Sequence, residues 1–374
     1  MASTVSAEGP AAAVPPSLLD RMAETNVVSI GEHQTETNPL RSFLAEDSLS
    51  ELLRLWLGFI PREKSQMESA RLVLARDVAR VDQLLASQVN EILHAPEFQA
   101  LEAAWRGLHH IWSVRSQLSS ERGFDDQQAK VEIRVLDVSK RELMRDFDKA
   151  PEFDQNALFW KVYEEEFGMP GGTPYGVLLA NYEFTNHPND LDLLSQLSGV
   201  AAAAFAPVIT SASPELIGLE TFADLEKPVN LENIFQQARH RKWHSLREQS
   251  DTQFLGLTLP RILMREPYRD DGGHRHGFRF VEDVQGADRE AYLWGSSAWA
   301  MGAVILRAFD SCGWFAEIRG VERGVEGGGL VTGLPTHGFR TDENGVAMRS
   351  SVEVAISDAQ ETALSDLGFV PHSH

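Results

Sequence analysis

The chain contains 374 residues, with 34 basic against 55 acidic side chains, so its formal net charge is −21 at pH 7. Hydrophobic residues make up 43% and charged residues 24% of the chain, the mixture of a folded soluble protein rather than a disordered one. The length predicts two domains or one large domain. Because so acidic a surface repels phosphates, we expect no nucleic-acid partner and no polybasic membrane anchor.

The cysteine content and the hydropathy exclude further classes of protein. Cys312 is the only cysteine, which excludes an intrachain disulfide and a Cys-rich zinc site. The first residues lack the pattern of a signal peptide, and the longest apolar run, residues 199–209, is far shorter than the roughly 20 residues that cross a bilayer. We therefore expect a cytoplasmic protein without membrane insertion.

Residues 1–66 are predicted to form a mobile N-terminal region that contains short helices and a linker. Residues 1–16 are small and contain proline, and a short helix capped by Ser17 follows, with Leu18, Leu19 and Met22 on one face. A polar linker then leads to an apolar helix over residues 49–57, which Gly58 and Pro61 end.

Residues 67–128 are predicted to form two long amphipathic helices, arranged as a hairpin or a bent pair around Pro96. Apolar residues recur in steps of three and four on both sides of this proline, which is the helical period. The first stripe is Leu74, Val78, Val81, Leu85, Val89 and Ile92, and the second is Phe98, Leu101, Trp105, Leu108 and Trp112.

Residues 129–374 alternate between strand and helix patterns, which predicts an α/β sandwich preceded by a helical N-terminal region. Ser139 with Glu142, and Ser357 with Gln360, have the spacing of capping boxes at helix starts. The predicted strands are residues 131–135, 175–180, 254–264, 314–318 and 352–356, and the other predicted helices are residues 154–167, 191–205 and 292–309.

Glycine-rich and histidine-containing segments offer weak candidates for chemistry. The loop at residues 324–329 (GVEGGG) lacks the Gly-Lys-Ser/Thr ending of a phosphate-binding loop, so a flexible loop is the better interpretation. His274 and His276 have no third ligand nearby in the sequence, and the terminal His372 and His374 are equally weak as metal ligands.

Nucleophilic and acid–base candidates are no stronger. Cys312 with His337 as its base is conceivable, but a small buried packing residue is the preferred interpretation of Cys312. The acidic run at residues 164–166 is interpreted as a solvated helix face. The sequence contains no familiar catalytic motif, so we predict no catalytic residues, no metal and no cofactor, which favours a structural or binding protein.

Several segments in order resemble one family, the large subunit of the type VI secretion contractile sheath (TssC/VipB). Each segment is weak alone, but the ordered set is specific and covers about residues 67–371. The segments are residues 81–92 (VDQLLASQVNEI), 101–108 (LEAAWRGL), 149–155 (KAPEFDQ), 162–168 (VYEEEFG), 254–261 (FLGLTLPR), 292–295 (YLWG) and 364–369 (LSDLGF).

The resemblance implies a structural, non-enzymatic role. Large and small sheath subunits pair, the pairs stack with other copies into a tube around an inner tube protein, and contraction ejects the inner tube. The resemblance also implies that an AAA+ recycling ATPase binds the N-terminal helix, and here Leu18, Leu19 and Met22 match that position. An apolar helix face that docks in a groove would carry this contact.

Two alternatives remain open at this stage. Family members normally continue through a further C-terminal region, which we expect this chain to lack, so a shortened paralogue that acts as an adaptor or cap is possible. An alternative of another class is a hydrolase that uses the glycine-rich loop 324–329 with His337.

Overall fold

The computed structural model describes residues 39–59, 70–121, 131–150, 152–270, 278–284, 289–316, 318–320, 328–340 and 347–373. The chain divides into two compact units, Met1–Gln83 and Leu84–His374. Within the described ranges, no helix is both long and apolar enough to span a membrane.

The first unit is helical where it is described. It contains α1 (Pro39–Leu44), α2 (Leu49–Phe59) and the first part of α3 (Ala70–Leu93). The indole N–H of Trp56 on α2 donates a hydrogen bond of 3.0 Å to the Oδ2 atom of Asp77 on α3. The apolar helix predicted at residues 49–57 and the long helix predicted before Pro96 are both confirmed.

The second unit alternates helices and strands, which confirms the predicted α/β class. A π-helical turn spans Trp160–Glu164. The helices are α4 (Pro96–Glu121), α5 (Lys140–Lys149), α6 (Ala157–Phe159), α7 (Pro188–Ala204), α8 (Leu231–Phe235), α9 (Arg241–Arg247), α10 (Ala298–Cys312) and α11 (Asp358–Asp366). The strands are β1 (Leu178–Phe184), β2 (Val208–Ala212), β3 (Leu255–Leu259), β4 (Ile262–Leu263), β5 (Trp294–Gly295), β6 (His337–Arg340), β7 (Ala347–Ser350) and β8 (Val370–Pro371).

A parallel sheet in the order β1-β2-β3-β8 forms the centre of this unit, and α7 makes the crossover between β1 and β2. Successive residues of β2 face opposite sides of the sheet. Val208 packs in the main core with α7, whereas Ile209 packs against Met301 and Ile305 on α10. Helices therefore cover both faces, which explains why every residue of β2 is buried. The pairs β4–β5 and β6–β7 are antiparallel.

Local sequence signals place several helix starts. The Ser139–Glu142 and Ser357–Gln360 capping boxes are both present, at the first turns of α5 and α11. Pro188 occupies the first turn of α7, where its missing N–H leaves no helical hydrogen bond unmade.

Other predicted elements differ from the structure. Residues 131–135 form no strand and no ladder with any described strand, since alternation alone does not supply a partner. The described part of residues 314–318 forms no strand either, because α10 ends in a left-handed turn at Gly313, after which Trp314 is exposed. Within residues 352–356, Val352, Val354 and Ile356 are buried, yet only Val352 makes a β-bridge, to Ile262.

Three further predicted elements differ from the structure in their boundaries or continuity. The helix predicted from residue 292 begins at Ala298, because β5 occupies residues 294–295. The helix predicted over residues 154–167 is broken into a 3-10 turn, α6 and the π-helical turn. The strand predicted at residues 175–180 starts at Leu178 and continues to Phe184.

Candidate assembly surface

The buried face of α4 combines two small residues with two branched apolar residues. Ala103, Gly107, Ile111 and Val114 form this face, at helical spacing. A β-carbon at Gly107 would overlap the indole ring of Trp299 on α10. On α10, Gly302 leaves similar room, because a β-carbon there would lie 3.0 Å from Ile111. The absence of side chains at the two glycines therefore lets α4 and α10 pack closely.

The opposite face of α4 carries large apolar side chains in contact with solvent. Trp105 is 65% exposed and Trp112 is 55% exposed, while Leu101 is 57% and Phe98 is 37% exposed. We call these four residues the α4 stripe. They belong to the apolar pattern detected in the sequence, of which Leu108 alone is half-buried. An exposed row of large apolar residues on a folded domain is typical of a protein–protein interface.

The cationic side chains beside the α4 stripe are already engaged. Arg106 donates hydrogen bonds to Glu102 at 2.8 Å and to the hydroxyl of Tyr268 at 3.2 Å. The guanidinium of Arg115 lies 5.0 Å from the ring centroid of Trp112, in a cation–π arrangement. The stripe is therefore apolar in character, although the whole chain carries a large negative charge.

A buried ionic network fixes the start of α4 to the segment that follows β4. The Nε atom of Arg265 donates to Glu102 at 2.8 Å, and its Nη2 atom donates to Glu282 at 3.0 Å. Arg265 also pairs with Glu282 through Nη1. The carboxylate of Glu282 accepts from the backbone N–H of Tyr268 at 3.0 Å and lies 3.4 Å from His94.

Burial and ion pairing shift the pKa of Glu282 in opposite directions. Desolvation acts to raise the pKa of Glu282, but the hydrogen bonds from Arg265 and Tyr268 outweigh it and leave the pKa below its ordinary value. Glu282 therefore stays ionised and paired at neutral pH. Because removal of one member would strand a buried charge, this network holds α4 in a fixed position.

The long helix α3 also carries exposed apolar residues in each unit. In the first unit these are Leu74, Val78 and Val81, and in the second they are Leu84, Leu85 and Ile92, each between 39% and 50% exposed.

The structure corrects two interpretations of single residues. Cys312 is exposed, not buried, because it is the last residue of α10 and lies beyond the helical turns that pack on the sheet. Glu166 is not part of a simple solvated face, since it accepts a 2.9 Å hydrogen bond from the backbone of Thr173 and pairs with Arg134. That backbone hydrogen bond is the main reason why the pKa of Glu166 is lowered.

The other candidates are only partly described. Leu18, Leu19, Met22, His274, His276 and His374 lie outside the described residues, and so does most of the loop 324–329. The backbone of His337 lies in β6, but its side chain is outside the description. Burial lowers the pKa of His372 to about 4. Among the described residues, no group of three or more His, Cys, Asp or Glu side chains could hold a metal ion.

Comparison with known proteins identifies the family. The VipB family, described as the EvpB/VC_A0108 tail sheath N-terminal domain, matches residues 75–374. The type VI secretion system sheath protein TssC1 of Pseudomonas aeruginosa is 38% identical over an alignment of 374 residues, which covers 94% of this chain and 71% of the relative. The chain belongs to the VipB family of sheath proteins. It is thus a structural component of the type VI secretion sheath and not an enzyme, as the resemblance in the sequence implies.

One feature of this VipB domain, the buried face of α4, is not evident from hydrophobicity alone. Ala103 and Gly107 are four residues apart, and such pairs of small residues allow helices to approach closely. This spacing is the signal in the sequence that separates the packed face of α4 from the exposed stripe.

Proposed function

We propose that this chain pairs with the small subunit of the type VI secretion sheath. The pairs stack with further copies around an inner tube protein, and contraction of the sheath drives the inner tube outward. Family membership supports the sheath role, and the exposed α4 stripe is the observation that supports pairing.

The spacing of the α4 stripe favours a helix as the binding element of the small subunit. Phe98, Leu101, Trp105 and Trp112, together with Leu108, alternate steps of three and four residues, which is the seam of a two-helix contact. A facing helix would cover the two exposed indoles, and tryptophan is among the residues that contribute most to binding. Arg106 and Arg115 lie beside the stripe but already contact groups of this chain, so they add little charge to such a contact.

Stacking of the pairs needs contacts of another kind. A contact between different surfaces of identical units generates a helical array when the rotation does not close. Contraction then requires two alternative packings of the same array, of which the extended one is metastable. No active site is needed for this work.

The pairing is tested with a charge-introducing variant, Leu101→Glu combined with Trp105→Glu. Both side chains are exposed, so the free chain should fold as before. Loss of two central apolar contacts should weaken binding of the small subunit by roughly 100-fold or more. Co-purification and isothermal calorimetry with the small subunit measure this change.

Met169→Glu is the matched control, because Met169 is 52% exposed and lies outside α4. The control should bind the small subunit like the wild-type chain. Equal binding by the α4 variant would contradict the assignment of this surface. Electron microscopy of the co-expressed wild-type subunits should show tubules, whereas small complexes alone would favour the adaptor or cap role.

Contact with the AAA+ recycling ATPase remains a proposal that comes from the sequence. Leu18, Leu19 and Met22 would form the apolar face of a short helix, which is marginal alone in water and would become ordered on binding. Replacement of Leu18 and Met22 by aspartate should abolish ATPase binding, and unchanged binding would discard the assignment.

A further inference from the structure

Phe205 has a backbone conformation that is unusual for an aromatic residue. It follows the last residue of α7, and its φ of 51° and ψ of 28° lie in the left-handed region. Its N–H donates to the carbonyls of Ala201 and Ala202, and the N–H of Ala206 donates to Ala201 at 3.1 Å. Glycine is the usual residue at this point of a helix end, because it has no β-carbon to strain the turn.

The side chain of Phe205 gains little from the fold. The ring is 72% exposed. Its aromatic contact is with Phe254, edge to face, with ring centroids 6.2 Å apart. A strained backbone and a solvated ring both disfavour phenylalanine here in the free chain. A strained position that the fold does not explain points to a function outside the free chain.

The segment of the chain that contains Phe205 carries no charged residue, and Phe205 lies at one edge of the sheet. No Asp, Glu, Lys or Arg occurs in residues 193–214 of this acidic chain. Phe205 precedes β2 and Phe254 precedes β3, so both rings lie at the edge where the parallel strands begin. Trp314, also 72% exposed, follows the end of α10 beyond Gly313.

This edge of the sheet also receives the end of α10. Ser296, just before α10, hydrogen-bonds Ser211 near the end of β2 at 2.5 Å. At the other end of α10, Phe315 lies beside Gly176, just before β1. The helix therefore runs antiparallel to the strands, which brings Trp314 to the same edge as Phe205.

We propose that Phe205 is an anchor by which this chain docks on a second copy of itself in the sheath. The inference rests on the proposed function, because it concerns contacts between copies in an assembled sheath. Copies with a net charge of −21 repel each other on average. A contact between them is therefore most favourable where an exposed aromatic ring belongs to a segment without charged residues, as Phe205 does.

The contact joins different surfaces of successive copies. Phe205 of one copy contacts a surface of the next copy that does not include Phe205, so the contact repeats without closing on itself. The α4 stripe remains available for the small subunit. Loss of the ring should thus break the array and leave each pair intact.

The test compares Phe205→Gly with Phe205→Ala in the full chain, alone and co-expressed with the small subunit. Glycine removes both the ring and the strain, so the isolated chain should melt about 1–3 °C higher. Alanine removes the ring and keeps the β-carbon, so the melting temperature should not rise. Both variants should pair with the small subunit normally, yet tubules seen by electron microscopy and sedimentation should fall by at least about tenfold.

Trp160→Ala serves as the control, since Trp160 is a 51% exposed aromatic residue outside this edge. It should form tubules like the wild-type chain. Wild-type tubule yields in both Phe205 variants would overturn the inference, and so would a lower melting temperature for Phe205→Gly. Loss of pairing with the small subunit would instead assign Phe205 to that subunit and overturn the second copy as occupant. A wild-type pair that forms no tubules would also overturn the inference, because there would be no contact between copies for Phe205 to make. Failure of the wild-type chain to pair at all would refute the proposed function, which is a distinct result.

Discussion

The imidazole of His240 is buried without a hydrogen-bond partner for its ring. It stacks on Phe235 with ring centroids 4.3 Å apart, and neither ring nitrogen has a partner among the described residues. Burial is the main cause that lowers the pKa of His240 to about 4, and the charges of Arg239 and His244 act in the same direction. The folded chain therefore holds this ring neutral well below its ordinary pKa.

This shift predicts a loss of stability in mild acid. In the unfolded chain His240 binds a proton near pH 6.5, while in the folded chain it does so only near pH 4. The folded state should accordingly lose stability as the pH falls from about 6.5 to about 4, and the contribution of His240 should be constant above that window. His372, whose pKa burial also lowers to about 4, adds to the same loss.

His240→Phe should remove part of this pH dependence, because phenylalanine keeps the stacked ring and cannot take up a proton. Between about pH 7 and pH 4.5 the variant should lose roughly 1–3 kcal/mol less unfolding free energy than the wild-type chain. Urea denaturation at the two pH values measures the difference. An unchanged pH dependence would show that His240 is not held neutral by the fold.

At the scale of single elements, the contact between α4 and α10 depends on the missing side chain of Gly107. A methyl group there would overlap the ring of Trp299. Because Trp299 also donates to Asn181 at 3.2 Å, its indole is held in place and is not free to move aside. We therefore expect Gly107→Ala to force the two helices apart.

Gly107→Ala should lower the unfolding free energy by about 1–3 kcal/mol, the usual penalty for overpacking, despite the better helix propensity of alanine. Gly58→Ala in α2 is the control, because a β-carbon at Gly58 meets nothing within 4 Å. The control should be neutral or stabilising by up to about 1 kcal/mol. Urea titrations followed by tryptophan fluorescence compare the two, and equal effects would mean that the helices adjust at no cost.

The same helix shows what the sequence can and cannot predict. Periodicity and capping residues place α4, α5 and α11 correctly, because these signals are local. Which face of α4 packs against the domain depends on neighbouring elements and not on the sequence of the helix alone. Gly107 packs where the neighbouring helix approaches, while the larger Trp105 and Trp112 remain exposed, so hydrophobicity alone favours the wrong face. Residues 131–135, which alternate in sequence but form no strand, show the related limit, since a strand needs a partner that no local pattern specifies.

At the scale of the whole molecule, the function is indicated by several family-like segments in the right order and not by any single residue. Seven short segments indicated the sheath family, and the family match over residues 75–374 confirms it. Exposure of the α4 stripe and of Phe205 could not be read from the sequence, because an apolar residue in a helix or a turn is more often buried. Only the folded structure distinguishes the apolar residues that are buried in the core from the exposed ones that can contact a partner.

Net charge gives the last prediction, on the salt dependence of assembly. Copies that each carry a charge of −21 repel across distances set by the Debye length, which falls from roughly 14 Å to about 4 Å between 0.05 M and 0.5 M salt. If copies meet through Phe205 and its uncharged segment, added salt screens the charge repulsion between copies but leaves the apolar attraction unchanged. The protein concentration needed for tubule formation should therefore fall severalfold as salt rises. Pairing through the uncharged α4 stripe should change less. Sedimentation of the purified pair across this salt range measures the first effect, and calorimetry measures the second. Tubules that dissolve as salt rises would show that charge complementarity, not apolar docking, holds the copies together.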